Sequence, residues 1–305
     1  IFSMEIIKKI TENSDAPLAL SIGNFDGMHE GHSLLINKVI EVCGKNNCSP
    51  AIMTFNPMPQ EFFRQHSFFK IMSDEDKLAH LENMGIKKCY LIPFTQAFSE
   101  IDADTFINQI LLKSLRVEHL IVGEDFRFGY GRKGDLNYLM ENYSDLIKIS
   151  SVETIKKINT KIGSSRIRKL IIDGRFDEAN QFLLEPFNIS GRVEHGDKVG
   201  RDLGYPTANI KICNSYPING IFYVKAYFKN NEFNGIASIG TKPTFSGNKP
   251  LLEVYIFDFN KDIYGENLKV RFIKKIRDQI KFDNKEQLIK QMNDDYKRVR
   301  EIINN

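Results

Sequence analysis

The chain has 305 residues, with 42 Lys and Arg against 39 Asp and Glu, so its formal net charge is only +3. This length allows two domains with separate cores, and 42% hydrophobic with 27% charged residues is typical of a globular protein, not a disordered or fibrous one. Charged residues interrupt every apolar run before the roughly 18 residues that a membrane-spanning helix needs, which argues against an integral membrane protein.

The N-terminal residues and the cysteines predict a cytoplasmic protein. Residues 1–20 show no basic stretch ahead of a long apolar segment and no small-residue cleavage site, so we expect no export signal. The cysteines show neither a CxxC pair nor a histidine at zinc spacing, which favours reduced core or surface thiols: Cys43, Cys48, Cys89 and Cys213. With so balanced a charge, neither nucleic acid nor a membrane is an expected partner.

In the first half, apolar strand patterns alternate with helical ones. LALSIG, AIMTF, KCYLIPF and LRVEHLIVG predict buried strands, and HSLLINKVIEVC, DEDKLAHLENMG and ADTFINQILLKSL predict helices between them. Strands that alternate with helices indicate a parallel α/β sheet with helices on its faces, here reaching to about residue 160.

The second half has a different pattern. SSRIRKLIIDGRFDEANQFLLEP predicts two short helices broken at Gly174, and the domain boundary is expected near Pro186. Six short alternating segments then predict an antiparallel barrel: ISGRVEHG, TANIKI, GIFYVKAYF, FNGIASIG, LLEVYIFDF and LKVRFIKKI. A terminal helix should pack one apolar face on this barrel, through Leu288, Met292, Tyr296 and Val299. The two halves are therefore different folds, covering residues 1–185 and 186–305.

The segment GNFDGMHEGH, residues 23–32, connects the first strand to the first helix, at the sheet edge where α/β proteins bind ligands. Its glycines allow close approach of a ligand, and the helix amino end favours a phosphate. If the helix has begun by His29, then His29 and His32 share one face and can donate hydrogen bonds to a phosphate. This pattern predicts phosphoryl or nucleotidyl transfer, although neither GxGxxG nor GxxxxGKS is present.

Two further segments have the composition of phosphate or metal sites. Ser164 or Ser165 can cap a helix whose amides, with Arg166 or Arg168, would form a second anion site. In GRVEHGDKVGRDLGYPTANI, glycines precede a strand on which Thr207 and Asn209 project to one face, as hard oxygen ligands suited to Mg²⁺ with ATP phosphates.

Taken in order, these segments resemble a known family. The HxGH element is similar to that of the nucleotidyltransferase superfamily, and SIGNFDGMHEGH resembles TxGxFDGxHxGH of the adenylyltransferase half of bacterial riboflavin kinase/FAD synthetases. VGEDFRFG and IGSSRIR resemble that family's VGxDFxFG and ISSTxIR segments. The resemblance implies a Rossmann-like nucleotidyltransferase sheet that adenylylates FMN to FAD, with release of pyrophosphate.

The resemblance also implies site residues for this half. Catalytic roles fall to His29, His32 and Arg168. The ATP-binding residues would be Gly23, Asn24, Phe25, Asp26, Gly31, Asp125, Arg127, Ser164 and Ser165. Flavin contacts would come from Pro57, Pro59, Phe63 and Phe128.

The second half resembles the riboflavin kinase family, through GxVxxGxxxGRxLGxPTAN, GIFYV, IGTKPTF and LEVYIFDFNKDIYG. The resemblance implies that Glu253, on the LEV strand, is the base that deprotonates the ribityl 5′-hydroxyl, and that Arg277 borders the flavin. The ATP-binding residues of this half would be Gly191, Gly196, Gly200, Gly204, Thr207 and Asn209, with Thr207 and Asn209 as metal ligands. The implied cofactor is Mg²⁺ with ATP as co-substrate. The other small-molecule partners are riboflavin, FMN and FAD, with transient delivery to apo-flavoproteins.

The sequence departs from the family pattern at four positions. Met58 stands where a histidine is usual, Gly163 and Ser165 stand where Ser and Thr are usual, and Gln279 replaces a glutamate. Two alternatives stay open at this point. One is a nucleotidyltransferase for another small phosphate, since the HxGH turn itself recognises ATP. The other is an α/β nucleotide sensor joined to a barrel that binds flavin or nucleic acid without turnover.

Overall fold

The computed structural model describes residues 3–11, 16–64, 68–153, 156–157, 160–161, 163–195, 204–212, 216–242 and 249–304. The chain forms two compact units. The first contains Ile1–Phe68 and Asp74–Ser164, and the second contains Phe69–Ser73 and Ser165–Asn305. No helix in the described part of the chain is both long and apolar enough to cross a membrane.

In the described residues the first unit has ten strands, and six of them form one sheet. In chain order the strands are β1 Glu5–Ile7, β2 Leu18–Ile22, β3 Ser49–Phe55, β4 Lys88–Ile92, β5 Val117–Gly123, β6 Arg127–Phe128, β7 Gly134–Asp135, β8 Lys148–Val152, β9 Lys156–Lys157 and β10 Thr160–Lys161. The sheet order is β1-β4-β3-β2-β5-β8, and every pairing within it is parallel. The pairs β6–β7 and β9–β10 are antiparallel. The parallel sheet confirms the predicted fold class.

Helices connect the strands of this sheet. They are α1 Glu30–Lys45, α2 Pro59–Arg64, α3 Asp74–Asn83, α4 Gln96–Ser99, α5 Ala103–Thr105 and α6 Leu136–Tyr143. A π-helix, Phe106–Ser114, continues directly from α5, and Tyr130–Arg132 form a 3₁₀ turn. Leu18, Leu20 and Ile22 of β2 share one hydrophobic cluster with Ile107 and Leu111 of the π-helix.

Strand order determines where a ligand can bind. β2 pairs with β3 on one side and with β5 on the other. The chain builds β3 and β4 on the first side of β2 and then crosses over to build β5 and β8 on the second side. In open α/β sheets, ligands bind beyond the carboxyl ends of the strands at such a crossover. The turn at residues 23–29 lies at this point.

Several features of the first unit differ from the sequence prediction, including its edge strands and one helix. The edge strands β1 and β8 were not predicted, because β1 has only three residues and β8 (KISSV) is polar and largely accessible. The predicted helix at 103–115 is mostly a π-helix, which apolar periodicity does not distinguish from an α-helix.

The described part of the second unit contains a closed barrel and three helices. Its strands are β11 Asn188–Glu194, β12 Thr207–Lys211, β13 Gly220–Phe228, β14 Asn231–Lys242, β15 Lys249–Ile256 and β16 Asn267–Arg277. The barrel order is β11-β12-β15-β14-β13-β16, with β11 and β16 paired to close it. The helices are α7 Ser164–Ile172, whose first residue belongs to the first unit, α8 Phe176–Asn180 and the terminal α9 Lys285–Asn304. All six predicted strands and the terminal helix are confirmed.

The helix α8 packs against the barrel. Phe176 of α8 lies 5.5 to 5.9 Å from the rings of Phe187, Phe222 and Phe272, and all four side chains are fully buried. Burial of four aromatic rings in one cluster strongly favours this arrangement. Apart from Ser164, the helices α7 and α8 belong to the compact unit that contains the barrel.

The terminal helix covers part of the barrel's outer face. Val299 is completely buried, and Tyr296 lies 4.8 Å from Phe257 and 6.4 Å from Tyr255, measured between ring centroids. Two residues of the predicted apolar stripe, Tyr296 and Val299, therefore pack as expected. Ser238 of β14 and Glu253 of β15 lie on the outer face of the barrel and are described below.

Candidate active sites

The turn between β2 and α1 has a constrained backbone. Phe25, Gly27 and Met28 have φ angles of +48°, +80° and +36°, and the side chains of Phe25 and Met28 are completely buried. The left-handed region is unfavourable for residues with a Cβ, so buried packing must hold this shape. A Cβ on Gly23 would lie 3.2 Å from the Phe25 ring, which leaves little room for any other residue.

Two hydrogen bonds from distant parts of the first unit fix the same turn. The Thr54 hydroxyl donates to the carbonyl of Asn24 at 3.2 Å, and the Ser164 hydroxyl donates to the carbonyl of Asp26 at 2.9 Å. The structure thus brings Ser164 to the turn, next to Asp26. The side chain of Asp26 is buried, with the residue only 1% exposed.

The two histidines of the turn are in direct contact. Their rings stack with centroids 3.7 Å apart and an interplanar angle of 16°. The helix begins at Glu30, one residue later than the arrangement considered from the sequence, and His29 is its N-cap. Nδ1 of His29 accepts a hydrogen bond from the backbone N–H of His32 at 3.3 Å. The Phe25 ring lies 5.1 Å from that of His32.

The environment of His29 keeps this side chain neutral. Burial lowers the pKa of His29 to about 4, against smaller opposing effects of a backbone hydrogen bond and of the Asp125 and Glu30 carboxylates. A neutral imidazole that accepts at Nδ1 carries its proton on Nε2. His29 can therefore donate one hydrogen bond from Nε2 to an anion without being charged itself.

The segment after β5 supplies two further predicted ATP-binding residues. Asp125 is exposed, and its carboxylate is close enough to act on the pKa of His29, so the structure brings it to the same site. Arg127 is also exposed. Its guanidinium lies 3.8 Å from the Asp135 carboxylate and donates to the Phe126 carbonyl at 2.9 Å.

The predicted flavin contacts of the first unit fall in different environments. Phe63 is 67% exposed, and its ring contacts those of Phe62 and Phe94 at 5.2 and 5.8 Å. Phe128, in contrast, is only 8% exposed and belongs to the main hydrophobic cluster. Pro57 and Pro59 are half-buried on either side of Met58, which is completely buried.

Ser165 and Arg168 lie in the second unit. Ser165 is exposed near the start of α7, whereas Arg168 is 9% exposed and its Nε donates to the Phe69 carbonyl at 2.9 Å. Arg166, the other candidate from the sequence, packs its guanidinium 5.3 Å from the centroid of the Phe182 ring.

The barrel brings three polar side chains into one row across neighbouring strands. Asn209 of β12 is directly opposite Glu253 of β15, and Glu253 is directly opposite Ser238 of β14. Thr207, two residues before Asn209, projects to the same side and is opposite Tyr255. Asn209 is only 8% exposed, and Thr207 and Glu253 are half-buried.

A cavity of about 350 Å³ has Thr207 in its wall. Its apolar lining includes Val193 and Ile263, and its polar lining includes Asp262. Tyr264, also in the wall, contacts the ring of His195 with centroids 3.8 Å apart. A cavity of this size is in the range of small-molecule sites.

Of the predicted kinase glycines, Gly191 lies in β11 opposite Leu268, and Gly204 has a φ angle of +83° just before the PTAN strand. Gly196 and Gly200 lie outside the residues that the structure describes.

Arg277 makes a structural ion pair. Its guanidinium donates from Nε and Nη2 to the carboxylate of Asp295 on α9, at 2.7 to 3.1 Å. Nη1 donates to the Asp278 carbonyl at 2.9 Å. A flavin contact by Arg277 would therefore involve a side chain already held in place by α9.

Sequence reasoning missed two residues of the barrel site. Ser238 carries no motif of its own, and its place opposite Glu253 depends on which strands pair. Tyr205 precedes the PTAN segment, and its hydroxyl donates to Oδ1 of Asn293 on α9 at 2.6 Å. The alternating pattern of FNGIASIG predicts that Ser238 lies on the outer face of its strand. It does not predict that Glu253 is its neighbour, because that depends on strand order and register.

Comparisons with known families agree with this geometry. The FAD synthetase family model matches residues 11–166, and the riboflavin kinase family model matches residues 183–303. A bifunctional riboflavin kinase/FMN adenylyltransferase of Buchnera aphidicola (strain Sg) is 39% identical over 98% of this chain and 96% of its own length. Proteins with the same description from Escherichia coli K12 and Bacillus subtilis 168 are 35% and 33% identical. Their alignments cover 98% and 94% of this chain, and 98% and 92% of their own lengths.

A solved structure extends the likeness to the fold of the whole chain. A protein from Streptococcus pneumoniae, described as a macrolide-efflux protein, has a TM-score of 0.83 and 30% identity over 98% of this chain and 99% of that one. The efflux activity in that description belongs to that protein, and only the fold is compared. From the two family matches and the full-length relatives, the chain belongs to the bifunctional riboflavin kinase/FMN adenylyltransferase family, whose members make FMN from riboflavin and FAD from FMN.

Proposed function

We propose that the two reactions of this family are carried by two separate sets of residues in this chain. The row Thr207, Asn209 and Glu253 on the barrel would phosphorylate riboflavin, and the turn with His29 and His32 would adenylylate FMN. For the kinase, the supporting observation is the strand register that sets Asn209 directly opposite Glu253. For the adenylyltransferase, it is the stack of buried His29 on half-buried His32 at the crossover point of the sheet.

In the kinase reaction, Glu253 would remove the proton of the ribityl 5′-hydroxyl as its oxygen attacks the γ-phosphate of ATP, and ADP would leave. The oxygens of Thr207 and Asn209 project from one strand face and suit Mg²⁺, which prefers hard oxygen ligands and keeps several water or phosphate ligands. When bound, this ion would neutralise phosphate charge. The cavity beside Thr207 is the proposed place for the nucleotide.

In the adenylyltransferase reaction, a phosphate oxygen of FMN would attack the α-phosphate of ATP, and pyrophosphate would leave. The attacking phosphate is already ionised, so this step needs no general base. Neutral His29, with its proton on Nε2, would donate a hydrogen bond to phosphate oxygens that gain charge during displacement. His32 and the amino end of α1 would contribute to the same anion site. Within the first unit, Asp125, Arg127 and Ser164 would contribute to the proposed ATP site, and Pro57, Pro59, Phe63 and Phe128 to flavin binding. The family resemblance adds Ser165 and Arg168 as proposed ATP contacts.

We further propose a functional boundary near Pro186, with residues 1–185 serving adenylyl transfer. The two family matches leave residues 167–182 between them, which is compatible with this boundary. A cytoplasmic location is supported by free thiols at Cys43, Cys48 and Cys89, as expected in a reducing compartment. Transient delivery of FAD to apo-flavoproteins would follow product release.

Two variants of the full chain test this assignment. With riboflavin, ATP and Mg²⁺, Glu253→Ala should lose FMN formation by about 100-fold or more, yet still convert supplied FMN to FAD. His29→Ala should show the reverse. Because each variant retains one reaction, that reaction serves as its control for folding and ATP quality. Kinase turnover that survives in Glu253→Ala would show that Glu253 is not the base.

A further inference from the structure

Two cysteines of the first unit are in contact where α1 ends and β3 begins. Cys43 lies in the last turn of α1, and Cys48 directly precedes β3. The Cys48 thiol donates a hydrogen bond to Sγ of Cys43, and the two sulfur atoms are 3.3 Å apart. Both residues are half-buried, so part of each is accessible to solvent. A disulfide bond is about 2.0 Å long, so the sulfur atoms need to approach by only about 1 Å to form one.

Hydrogen bonds fix the backbone between the two cysteines. Asn46 caps α1, since its backbone N–H and its side-chain amide donate to the carbonyl of Val42 at 3.1 and 2.8 Å. The Cys48 N–H then donates to the Asn46 carbonyl at 2.9 Å. The next residue, Ser49, pairs with Leu18 of β2 in the sheet. Backbone contacts on both sides therefore hold the two sulfur atoms together.

We infer that Cys43 and Cys48 are a dithiol modification site, which a low-molecular-weight disulfide oxidises reversibly to an intramolecular disulfide bond. The Cys48 thiolate attacks one sulfur of the reagent and releases the first small thiol. Sγ of Cys43 then loses its proton to solvent and attacks Sγ of Cys48, which releases the second small thiol. The protein gives up two electrons and two protons, and the S–S bond of the reagent is reduced to two thiols.

The surroundings of Cys43 assign this order to the two thiols. Burial and the hydrogen bond with Cys48 raise the pKa of Cys43 to about 12, against a backbone hydrogen bond with Ala19 that lowers it. Cys43 is therefore the thiol that keeps its proton while Cys48 reacts. Once Cys48 is bonded to another sulfur it carries no charge, so one cause of the raised pKa of Cys43 disappears and the second attack can follow.

The dithiol lies at the end of α1 that is remote from the histidine turn. His29 is the N-cap of this helix of 16 residues, and a rise of 1.5 Å per residue separates Cys43 from it by about 20 Å. Oxidation should therefore leave the rates of FMN and FAD formation unchanged. Its effect is on the thiols themselves, because a disulfide can be reduced again, whereas a thiol oxidised to the sulfinic acid is lost.

The test uses the native full chain with oxidised glutathione as the reagent. After incubation, remaining thiols are blocked with N-ethylmaleimide, and the chain is digested with trypsin without reductant. Cleavage after Lys38, Lys45 and Arg64 places Cys43 in the peptide 39–45 and Cys48 in the peptide 46–64. Mass spectrometry should find these two peptides joined, and dithiothreitol should separate them. In the Cys43→Ser chain, glutathione should instead remain attached to Cys48.

A comparison with the unfolded chain shows whether the fold creates this site. At one ratio of oxidised to reduced glutathione, the equilibrium constant for the disulfide should be at least about tenfold larger in the native chain than in concentrated urea. Cys89, which is completely buried, should stay reduced in the native chain. Equal constants in both states would overturn the inference. So would joining of Cys43 or Cys48 to Cys89 or Cys213, or glutathione that remains on the native chain with no joined peptides.

Discussion

The ring of His29 lies against the backbone of Gly31, so that a Cβ on residue 31 would be 3.1 Å from Cε1 and 3.2 Å from Nδ1 of the imidazole. Separations of this size are tighter than normal packing, and one of the two atoms is the acceptor for the His32 amide. Glycine at this position therefore allows the capping geometry of His29.

We predict that Gly31→Ala displaces the His29 ring and lowers FAD formation from FMN by about tenfold or more, with FMN formation from riboflavin unchanged. The matched control is Gly44→Ala in the same helix, where a Cβ meets nothing within 4 Å. Alanine at 44 should only increase helix propensity, by up to about 1 kcal/mol. Equal adenylyltransferase rates for the two variants would mean that the His29 ring position is not critical.

The lowered pKa of His29 predicts a specific dependence of stability on pH. In the unfolded chain this histidine binds a proton near its ordinary value of 6.5, whereas in the folded chain it does so only near 4. The unfolded state therefore binds more protons between these values. The free energy of unfolding is therefore unaffected by His29 above pH 6.5, where this histidine is neutral in both states. As pH falls from 6.5 toward 4, protonation of His29 in the unfolded chain lowers the free energy of unfolding by about 3 kcal/mol in total.

Urea unfolding followed by circular dichroism at pH 7 and pH 4.5 measures this effect as the difference between the native chain and His29→Asn. Other titrating groups contribute to both chains and cancel in the comparison. We expect the native chain to lose more stability than the variant on acidification. An identical loss in both would mean that His29 is not buried as a neutral group.

Gly134 makes room for Phe128. A Cβ at position 134 would lie 2.5 to 2.6 Å from three carbons of the Phe128 ring, which cannot move freely within the core. Gly134→Ala should therefore destabilise the first unit by about 1–3 kcal/mol and reduce adenylyl transfer, as judged by thermal unfolding and by FAD formation. Gly44→Ala again serves as the control. A melting temperature equal to that of the control would show that Phe128 can repack.

Two ion pairs of the terminal helix should differ sharply in importance. The Arg277–Asp295 pair is shielded, with side chains 15% and 6% exposed, whereas Asp258 in the Arg300–Asp258 pair is 76% exposed. Removing one partner of a buried pair costs about 3–5 kcal/mol, but exposed pairs contribute about 1 kcal/mol or less. Asp295→Ala should lower the unfolding temperature of the barrel unit and its kinase activity, while Asp258→Ala should change little. Similar effects of both substitutions would contradict this account of α9.

Apolar periodicity was sufficient to predict the main elements of both units. Leu18–Ile22 form a strand that is buried along its whole length, as its apolar run predicts, and Val299 and Tyr296 pack as their spacing predicts. The short polar edge strands β1 and β8 carry no such signal, and their pairing depends on neighbours far away in the chain. The packing of Phe176 with the barrel likewise depends on tertiary contacts that local patterns do not encode.

The site was predictable where the chain itself fixes the geometry. His29 and His32 are three residues apart at a helix start, and Thr207 and Asn209 alternate on one strand, so their proximity follows from local structure. The position of Ser238 opposite Glu253 could not be predicted, because it requires the order and register of the barrel strands. The pairing of Arg277 with Asp295 was missed for the same reason, since α9 supplies the partner.

The most direct test of two separate sites on one chain is a mixing experiment. Glu253→Ala and His29→Ala chains are combined in equal amounts with riboflavin, ATP and Mg²⁺, and riboflavin, FMN and FAD are separated by chromatography over time. We predict that FMN appears first and FAD follows, as each variant performs the reaction that the other has lost. A doubly substituted chain should form neither product. If the mixture forms no FAD although each variant is folded, the two reactions do not reside in independent sites.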